Sequence, residues 1–404
     1  MLSFRHLVRP LRESSRGLSR LPSTFLSEDE QFVKKSIKKF AESEITPLVQ
    51  KMDREMKMDE NLLSSLFGNG YMGIEIPTDY GGSGMSFFDS ILIIEEISKA
   101  DPSVGILVDI QNTLITSLFM RLGNTDQKDE WLPKLATNTI GSFCLSEQNS
   151  GSDAFALKTK AVKDGDSYIL NGSKLWISNS EQAGVFLVLA NAEPEKGYKG
   201  ITMFIVPKDS EGLSIGKKEL KLGLKASSTC AVNFDNVRVP IKNGILGENG
   251  KGYKYAIEML NEGRIGIAAQ MLGLATGCIE FATNYTFERK QFGKRIWDFQ
   301  AVQHDIAKLE CEVVALRAMI YNAARKKENN ECIRKDASIC KYLSANIASK
   351  ICSKSIELLG GVGFSSEYPV EKYYRDVKIG TIYEGTNNIQ LNSIAKCIEE
   401  DLRP

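Results

Sequence analysis

The stretch SYILNGSKLWIS, Ser167 to Ser178, decides how the chain is laid out. Two short apolar runs, Tyr168–Leu170 and Leu175–Ile177, flank Asn171-Gly172, a dipeptide whose access to positive φ suits a two-residue hairpin turn. Similar short runs return in VFLVLANA (Val185–Ala192), ITMFIVP (Ile201–Pro207) and AVNFDNVRVP (Ala231–Pro240), separated by turn residues. Strands of this length predict an antiparallel β domain over residues 143–252, with a hairpin at Asn171-Gly172.

Both flanks carry the helical period instead. Ser27 with Glu30 makes a capping-box pattern, and Val33, Ile37, Phe40 and Ile45 recur near helical spacing until Pro47 interrupts. Further helical stretches around 60–67, 88–98 and 108–122 complete an α-helical domain over 26–142. After Gly252 the period returns, with Ile306, Leu309, Val313, Leu316 and Ile320 spaced by three and four, so residues 253–404 predict an α-helical bundle. The fold class is α+β, in the order α, β, α. GNGYMG (Gly68–Gly73) matches a dinucleotide fingerprint letter for letter, but a helical segment precedes it and a proline-containing segment follows, so it reads as a loop.

Composition bounds the function. The 404 residues hold 51 basic and 51 acidic side chains and are 42% hydrophobic, enough for a large core and without the basic excess of a nucleic-acid binder. Eight scattered cysteines, with no C-x-x-C pair and only His6 and His304 as histidines, read as reduced, mostly buried thiols and argue against a metal site or a cysteine nucleophile. Residues 1–25 carry Arg5, Arg9, Arg12, Arg16 and Arg20 against Glu13 alone, a mitochondrial presequence pattern that predicts a matrix location and a mature start near residues 20–27. Removing those six charges from 51 and 51 leaves 46 basic against 50 acidic residues, a mildly acidic remainder. Ile265–Ala282 comes nearest to a membrane span, but Gln270 and Glu280 interrupt it and its small residues suit a buried helix.

Four segments in order carry a resemblance: FCLSEQNSGSD (Phe143–Asp153), LNGSKLWISN (Leu170–Asn179), LNEGRIGIA (Leu260–Ala268) with ERKQFGKRIWDFQAVQ (Glu288–Gln303), and LLGGVGFSSEYPVEKYYRDVKIGTIYEGTNNIQ (Leu358–Gln390). Together they resemble the acyl-CoA dehydrogenase family over nearly everything after residue 25. The resemblance implies an FAD enzyme that removes two hydrogens across Cα–Cβ of an acyl-CoA thioester and passes electrons to electron-transfer flavoprotein. GYKGIT, LGLKASSTC, GYKYAI and YPVEKYYRDVKIGTIYEG resemble members acting on short and branched acyl chains, such as 2-methylbutanoyl-CoA.

By the same resemblance Glu384, in IYEGT, is the base that takes the α-proton. Read from the residues alone, a glutamate just before a helix start is more readily a solvent-facing turn residue favoured by the helix dipole. Some family members place their glutamate immediately before the arginine of the NEGR-type segment, where this chain has Gly263. Glu262, one residue earlier, would turn by about 100° from that position and is expected to face CoA or solvent.

The resemblance also distributes the ligand positions. On its β-domain side the isoalloxazine would lie against Phe143, Cys144, Leu145, Ser146, Glu147, Gln148, Asn149, Ser150, Gly151 and Ser152, together with Trp176, Ile177 and Ser178. Arg289, Gln300 and the run Glu357, Leu358, Leu359, Gly360, Gly361 would reach the adenine and diphosphate from a neighbouring subunit. That sharing implies a homotetramer built from dimers. Glu357 stands where several members have glutamine, so its contact would be through the backbone. Thr386, Asn387 and Asn388 would close the site with helix N-terminal amides. Acyl-CoA would meet Ser152, Tyr198, Tyr253, Asn261, Glu262, Gly263 and Arg264. Taken singly, Phe143 and Trp176 are also ordinary packing residues, and Arg289 and Arg264 ordinary surface charges. Two other readings share these segments: an acyl-CoA oxidase, usually longer at its C-terminus, and a non-catalytic assembly factor that kept the fold.

Overall fold

A computed structural model describes residues 24–403. The chain opens on α1 (Glu28–Phe40), where Ser27 and Glu30 cap each other reciprocally and Val33, Ile37 and Phe40 turn inward. Pro47 does not end the helical path: it runs on through a π turn, Ala41–Ile45, and a 3₁₀ turn, Thr46–Leu48, into α2 (Val49–Glu55). Then come α3 (Glu60–Gly68), α4 (Phe87–Ala100), α5 (Pro102–Asp109), α6 (Ser117–Leu122) and α7 (Thr125–Thr137). Between α5 and α6 the helix widens into a seven-residue π segment, Ile110–Thr116, every residue of which is buried. Its polar residues are satisfied by neighbouring backbone. Gln111 donates to the Leu135 and Thr139 carbonyls and accepts from Gly141 N–H, and Asn112 donates to the Tyr71 and Val108 carbonyls. GNGYMG is a turn, as its context implies.

The β domain holds β1 (Ile140–Cys144), β2 (Lys160–Asp164), β3 (Ser167–Ser178), β4 (Ala183–Asn191), β5 (Ile201–Pro207), β6 (Leu213–Lys218) and β7 (Thr229–Pro240) in one sheet ordered β1-β4-β2-β3-β7-β6, with β5 on β4. Two expectations need correction. The sheet is not purely antiparallel, because β1 runs parallel to β4 from Ile140 against Ala183 to Cys144 against Val188. Nor does the chain reverse at Asn171-Gly172. β3 is continuous through it, and the two-residue turn is Gly165-Asp166, with Asp164 opposite Ser167. Gly172 instead marks a bulge against β7: its φ is +150°, and a Cβ there would stand 2.8 Å from Thr159 Cα.

After α8 (Ile241–Gly244), a kinked single turn, the bundle consists of α9 (Gly252–Glu288), α10 (Gln300–Glu328), α11 (Arg334–Leu359), α12 (Val370–Val377) and α13 (Asn387–Leu402). A small hairpin, β8 (Lys290–Gln291) with β9 (Lys294–Arg295), joins α9 to α10. Ile306, Leu309, Val313, Leu316 and Ile320 are all buried, as their spacing implies. Pro102–Leu122 and Gly252–Glu288 are long and apolar enough to cross a membrane, but 94% and 78% of their most apolar windows are buried inside the fold. One core spans both helical domains, and a smaller one fills the β domain. Six of the eight cysteines are buried, Cys311 and Cys332 being exposed. The presequence reading falls almost wholly on residues 1–23, outside the described part.

Candidate active site

The chain leaves α12 through a 3₁₀ turn, Lys378–Thr381, and reaches α13 by a short loop centred on Glu384 and Gly385. Both adopt positive φ, +54° and +90°. For glutamate this is a strained conformation that the surroundings must hold. They hold it by the carbonyls. Arg264 Nε on α9 donates to the Glu384 carbonyl at 3.3 Å, and Gln390 Nε2 on α13 donates to the Glu384 and Gly385 carbonyls at 3.0 and 2.9 Å. Lys341 Nζ on α11 donates to the Gly385 carbonyl at 2.7 Å. Gly385 is required twice, for its φ and because a Cβ would lie 2.8 Å from Gln390 Nε2.

So fixed, the Glu384 side chain lies over α9. A Cβ on Gly263 would be 3.3 Å from Glu384 Oε2, so the position that is empty in NEGR is filled by this carboxyl. The residue is half-buried, yet Oε2 is sealed from solvent and has no hydrogen-bond partner among the described residues. Desolvation pushes the carboxyl up to about 7, while Arg264 and Lys341 pull it down. One turn further along α9 a second carboxyl repeats the arrangement. Asp109 Oδ1 stands 2.0 Å from where a Gly266 Cβ would be, and it accepts from Thr113 Oγ1 at 2.9 Å. Burial, and secondarily Glu384, drive the Asp109 carboxyl well above the ordinary carboxylate range, against the pull of the Thr113 hydrogen bond. Tyr383, beside Glu384, bonds Gln270, which in turn donates to the Pro102 carbonyl at 2.7 Å.

Glu262 needs correction. Rather than facing CoA or solvent it is buried, paired with Arg121, with Lys327 at 3.6 Å and Ser117 at 3.5 Å. Glu95 and Glu96 are likewise buried, Glu95 accepting from Arg317 and Tyr321 at 2.9 and 2.8 Å.

On the β domain, Phe143 and Ser146 are half-buried, and Gln148, Asn149, Gly151 and Ser152 are exposed. Cys144 is sealed in the β core with its thiol pushed up to about 12 by burial, which leaves only its backbone for a ligand. The Glu147 side chain is also committed: Lys174, fully buried, donates to it at 2.8 Å and to the Leu145 carbonyl at 3.0 Å. Lys158 and Thr159 N–H groups take the rest of that carboxylate, so Glu147 braces the loop Leu145–Thr159 instead of reaching outward. Trp176 is the opposite case. Its φ is +61° at a bulge in β3, and its side chain is exposed, 63% for the residue. A strained tryptophan presenting an apolar ring outward suits a flat ring ligand.

Tyr198 and Tyr253 meet at 5.0 Å between ring centroids, edge to face, and Asn261 accepts from Arg264 at 3.0 Å. Arg289 and Gln300 flank the β8–β9 hairpin, and Glu357, Leu358, Leu359, Gly360 and Gly361 end α11; these groups lie on the helical bundle, away from the β-domain set. Nothing occupies the space where Gly360 and Gly361 would carry a Cβ. Thr386 caps α13, and Asn387 Oδ1 is buried without a partner. Missed in the sequence were Lys341, Gln390 and Asp109. The signal for Lys341 was a lysine on the stripe Ala337, Cys340, Ser344, Ala345 and Ala348, where every neighbour is small and buried.

Comparison with known proteins gives the same arrangement a family. Models for the N-terminal, middle and C-terminal domains of acyl-CoA dehydrogenase match residues 27–139, 142–237 and 250–398. The short/branched chain specific acyl-CoA dehydrogenase, mitochondrial, of Bos taurus is 54% identical over 97% of this chain and 90% of its own. A probable enzyme of that kind from Dictyostelium discoideum is 52% identical over 93% and 91%. Butyryl-CoA dehydrogenase from Megasphaera elsdenii superposes with a TM-score of 0.90 at 36% identity, covering 93% of this chain and 99% of that one. With three domain matches in order and relatives above half identity along almost its whole length, the chain belongs to the acyl-CoA dehydrogenase family, whose members are FAD-dependent oxidoreductases.

Proposed function

We propose that this acyl-CoA dehydrogenase acts on short, 2-methyl-branched thioesters such as 2-methylbutanoyl-CoA, with Glu384 as its base and electron-transfer flavoprotein as its electron acceptor. The observation that carries the assignment is Glu384 Oε2, sealed and unpartnered, on a carboxyl raised to about 7. A base poised near neutral pH is ionised often enough to act and basic enough to pull on a weak carbon acid. The α-proton passes to Glu384, its electron pair moves toward the thioester oxygen, and the new Cα–Cβ double bond forms as the β-hydrogen leaves with its own pair. Bound FAD supplies the acceptor for that hydride, a role no side chain offers. The Glu384 N–H, which donates to no group among the described residues, is available to the thioester oxygen as negative charge builds there.

Trp176, Phe143 and Ser146 fit the ring of FAD, and Thr386 with Asn387 Oδ1, unpartnered among the described residues, fits its polar chain. Arg289, Gln300 and Glu357–Gly361 would serve a neighbour's cofactor in a homotetramer. The exposed Phe292 and Phe364 beside them support such an interface. The division at residues 25, 142 and 252 and a matrix location belong to the same reading, the latter favoured by the mitochondrial relatives. In Glu384→Gln protein, FAD and acyl-CoA should still bind while substrate no longer bleaches the yellow absorbance. Bleaching at the parent rate overturns the base. A kcat/KM higher for dodecanoyl-CoA than for 2-methylbutanoyl-CoA overturns the substrate.

A further inference from the structure

Lys341 is fully buried, and its ammonium has one hydrogen-bond partner, the Gly385 carbonyl at 2.7 Å. A buried cation with a single neutral acceptor is poorly compensated. The charged groups acting on it are Glu384, which favours the ammonium, and Arg264 on α9, which opposes it. The lysine therefore reaches the loop of the proposed base from α11, whereas Arg264 reaches it from α9.

We propose that Lys341 is a positioning residue for Glu384: its ammonium ties down the Gly385 carbonyl, holds the strained Glu384–Gly385 pair, and keeps the carboxylate over Gly263 in its ionised form. The proposal rests on Glu384 being the base. Two effects separate it from simple packing. Gln390 also bonds the Gly385 carbonyl, so losing Lys341 leaves one tether and loosens the loop without abolishing it. Losing the positive charge also removes one of the two influences that pull the Glu384 carboxyl down, so the base should ionise at higher pH.

The test is α-hydrogen exchange of 3-thiabutanoyl-CoA into D₂O, followed by NMR across pH 5 to 9 on the FAD-loaded protein. This thioester has an acidic α-hydrogen and no β C–H to lose, so exchange reads proton removal alone. Lys341→Met should bind the analogue, exchange about tenfold more slowly at pH 7, and show its midpoint displaced upward by about one pH unit. Lys341→Gln, which keeps a donor but not the charge, should show the same displacement and serves if the Met variant fails to fold. Lys341→Arg should keep the parent midpoint. A parent midpoint in either uncharged variant overturns the proposal. Glu384→Gln in the same assay distinguishes the two failures: silence there keeps the base reading intact, and parent-like exchange removes it.

Discussion

Glu262 and Glu384 sit within a few residues of each other along α9, one on the helix and one draped over it, and both are carboxylates withdrawn from water. Their surroundings differ in one respect. Glu262 is saturated, by Arg121, Lys327 and Ser117. Glu384 keeps an oxygen with nothing to accept from, and its two cations bond the backbone beside it rather than the carboxylate. Burial alone makes neither a base. What distinguishes Glu384 is unused acceptor capacity held in place by contacts made elsewhere, at the cost of left-handed backbone strain and a desolvated carboxyl.

The contrast breaks if the two glutamates respond alike. In the 3-thiabutanoyl-CoA exchange assay at pH 7.5, Glu384→Gln should lose about a thousandfold in rate, since a positioned general base is worth that order. Glu262→Gln should stay within about threefold of the parent, and a hundredfold loss there would move the chemistry to the wrong carboxylate. The second effect runs the other way. Glu262→Gln leaves the partly exposed Arg121 without its anion and Lys327 with Glu75 alone, and should cost about 2 kcal/mol of stability in urea denaturation. An unchanged midpoint would mean that the cluster is solvated.

The third concerns pH. The folded protein binds the Glu384 proton more tightly than the unfolded chain does, so its contribution to stability is lost as pH rises from about 4.5 to about 7. Glu384→Gln removes that penalty. Substrate-free variant should therefore be more stable than the parent at pH 8, by about 2 kcal/mol, with the gap closing toward pH 4.5. Equal melting temperatures at both pH values would place the carboxyl in ordinary solvent. The smallest effect is expected at Asp109, whose carboxyl burial already drives well above the ordinary carboxylate range. Asp109→Asn should alter exchange at pH 7 by less than about threefold, and a tenfold change would show that a charge had been removed.

The helical architecture was legible because its determinants are local. Ser27 with Glu30, and the buried series from Ile306 to Ile320, state their structure within a few turns of chain. Asn171-Gly172 was misleading because the same dipeptide serves a tight turn and a bulge. The choice was made by Thr159, whose close approach to Gly172 no local pattern records. The proposal of Glu384 as base came only through the family's IYEGT segment, since a glutamate before a helix is ordinarily exposed. Lys341, Gln390 and Asp109 act through atoms that the fold brings from other helices.

The π segment Ile110–Thr116 sets a phase relation between the two glutamate sites. Before it, Asp109 looks toward Gly266 and the base; after it, Ser117 and Arg121 look toward Glu262. Widening a helical turn by one residue is equivalent to an insertion, and returning it to α geometry would rotate everything downstream by about 100°. Deleting one residue from this stretch would thus leave Asp109 facing Gly266 while turning Arg121 off Glu262, so the angular offset between the face that meets Glu384 and the ion-paired face is stored in a single extra residue.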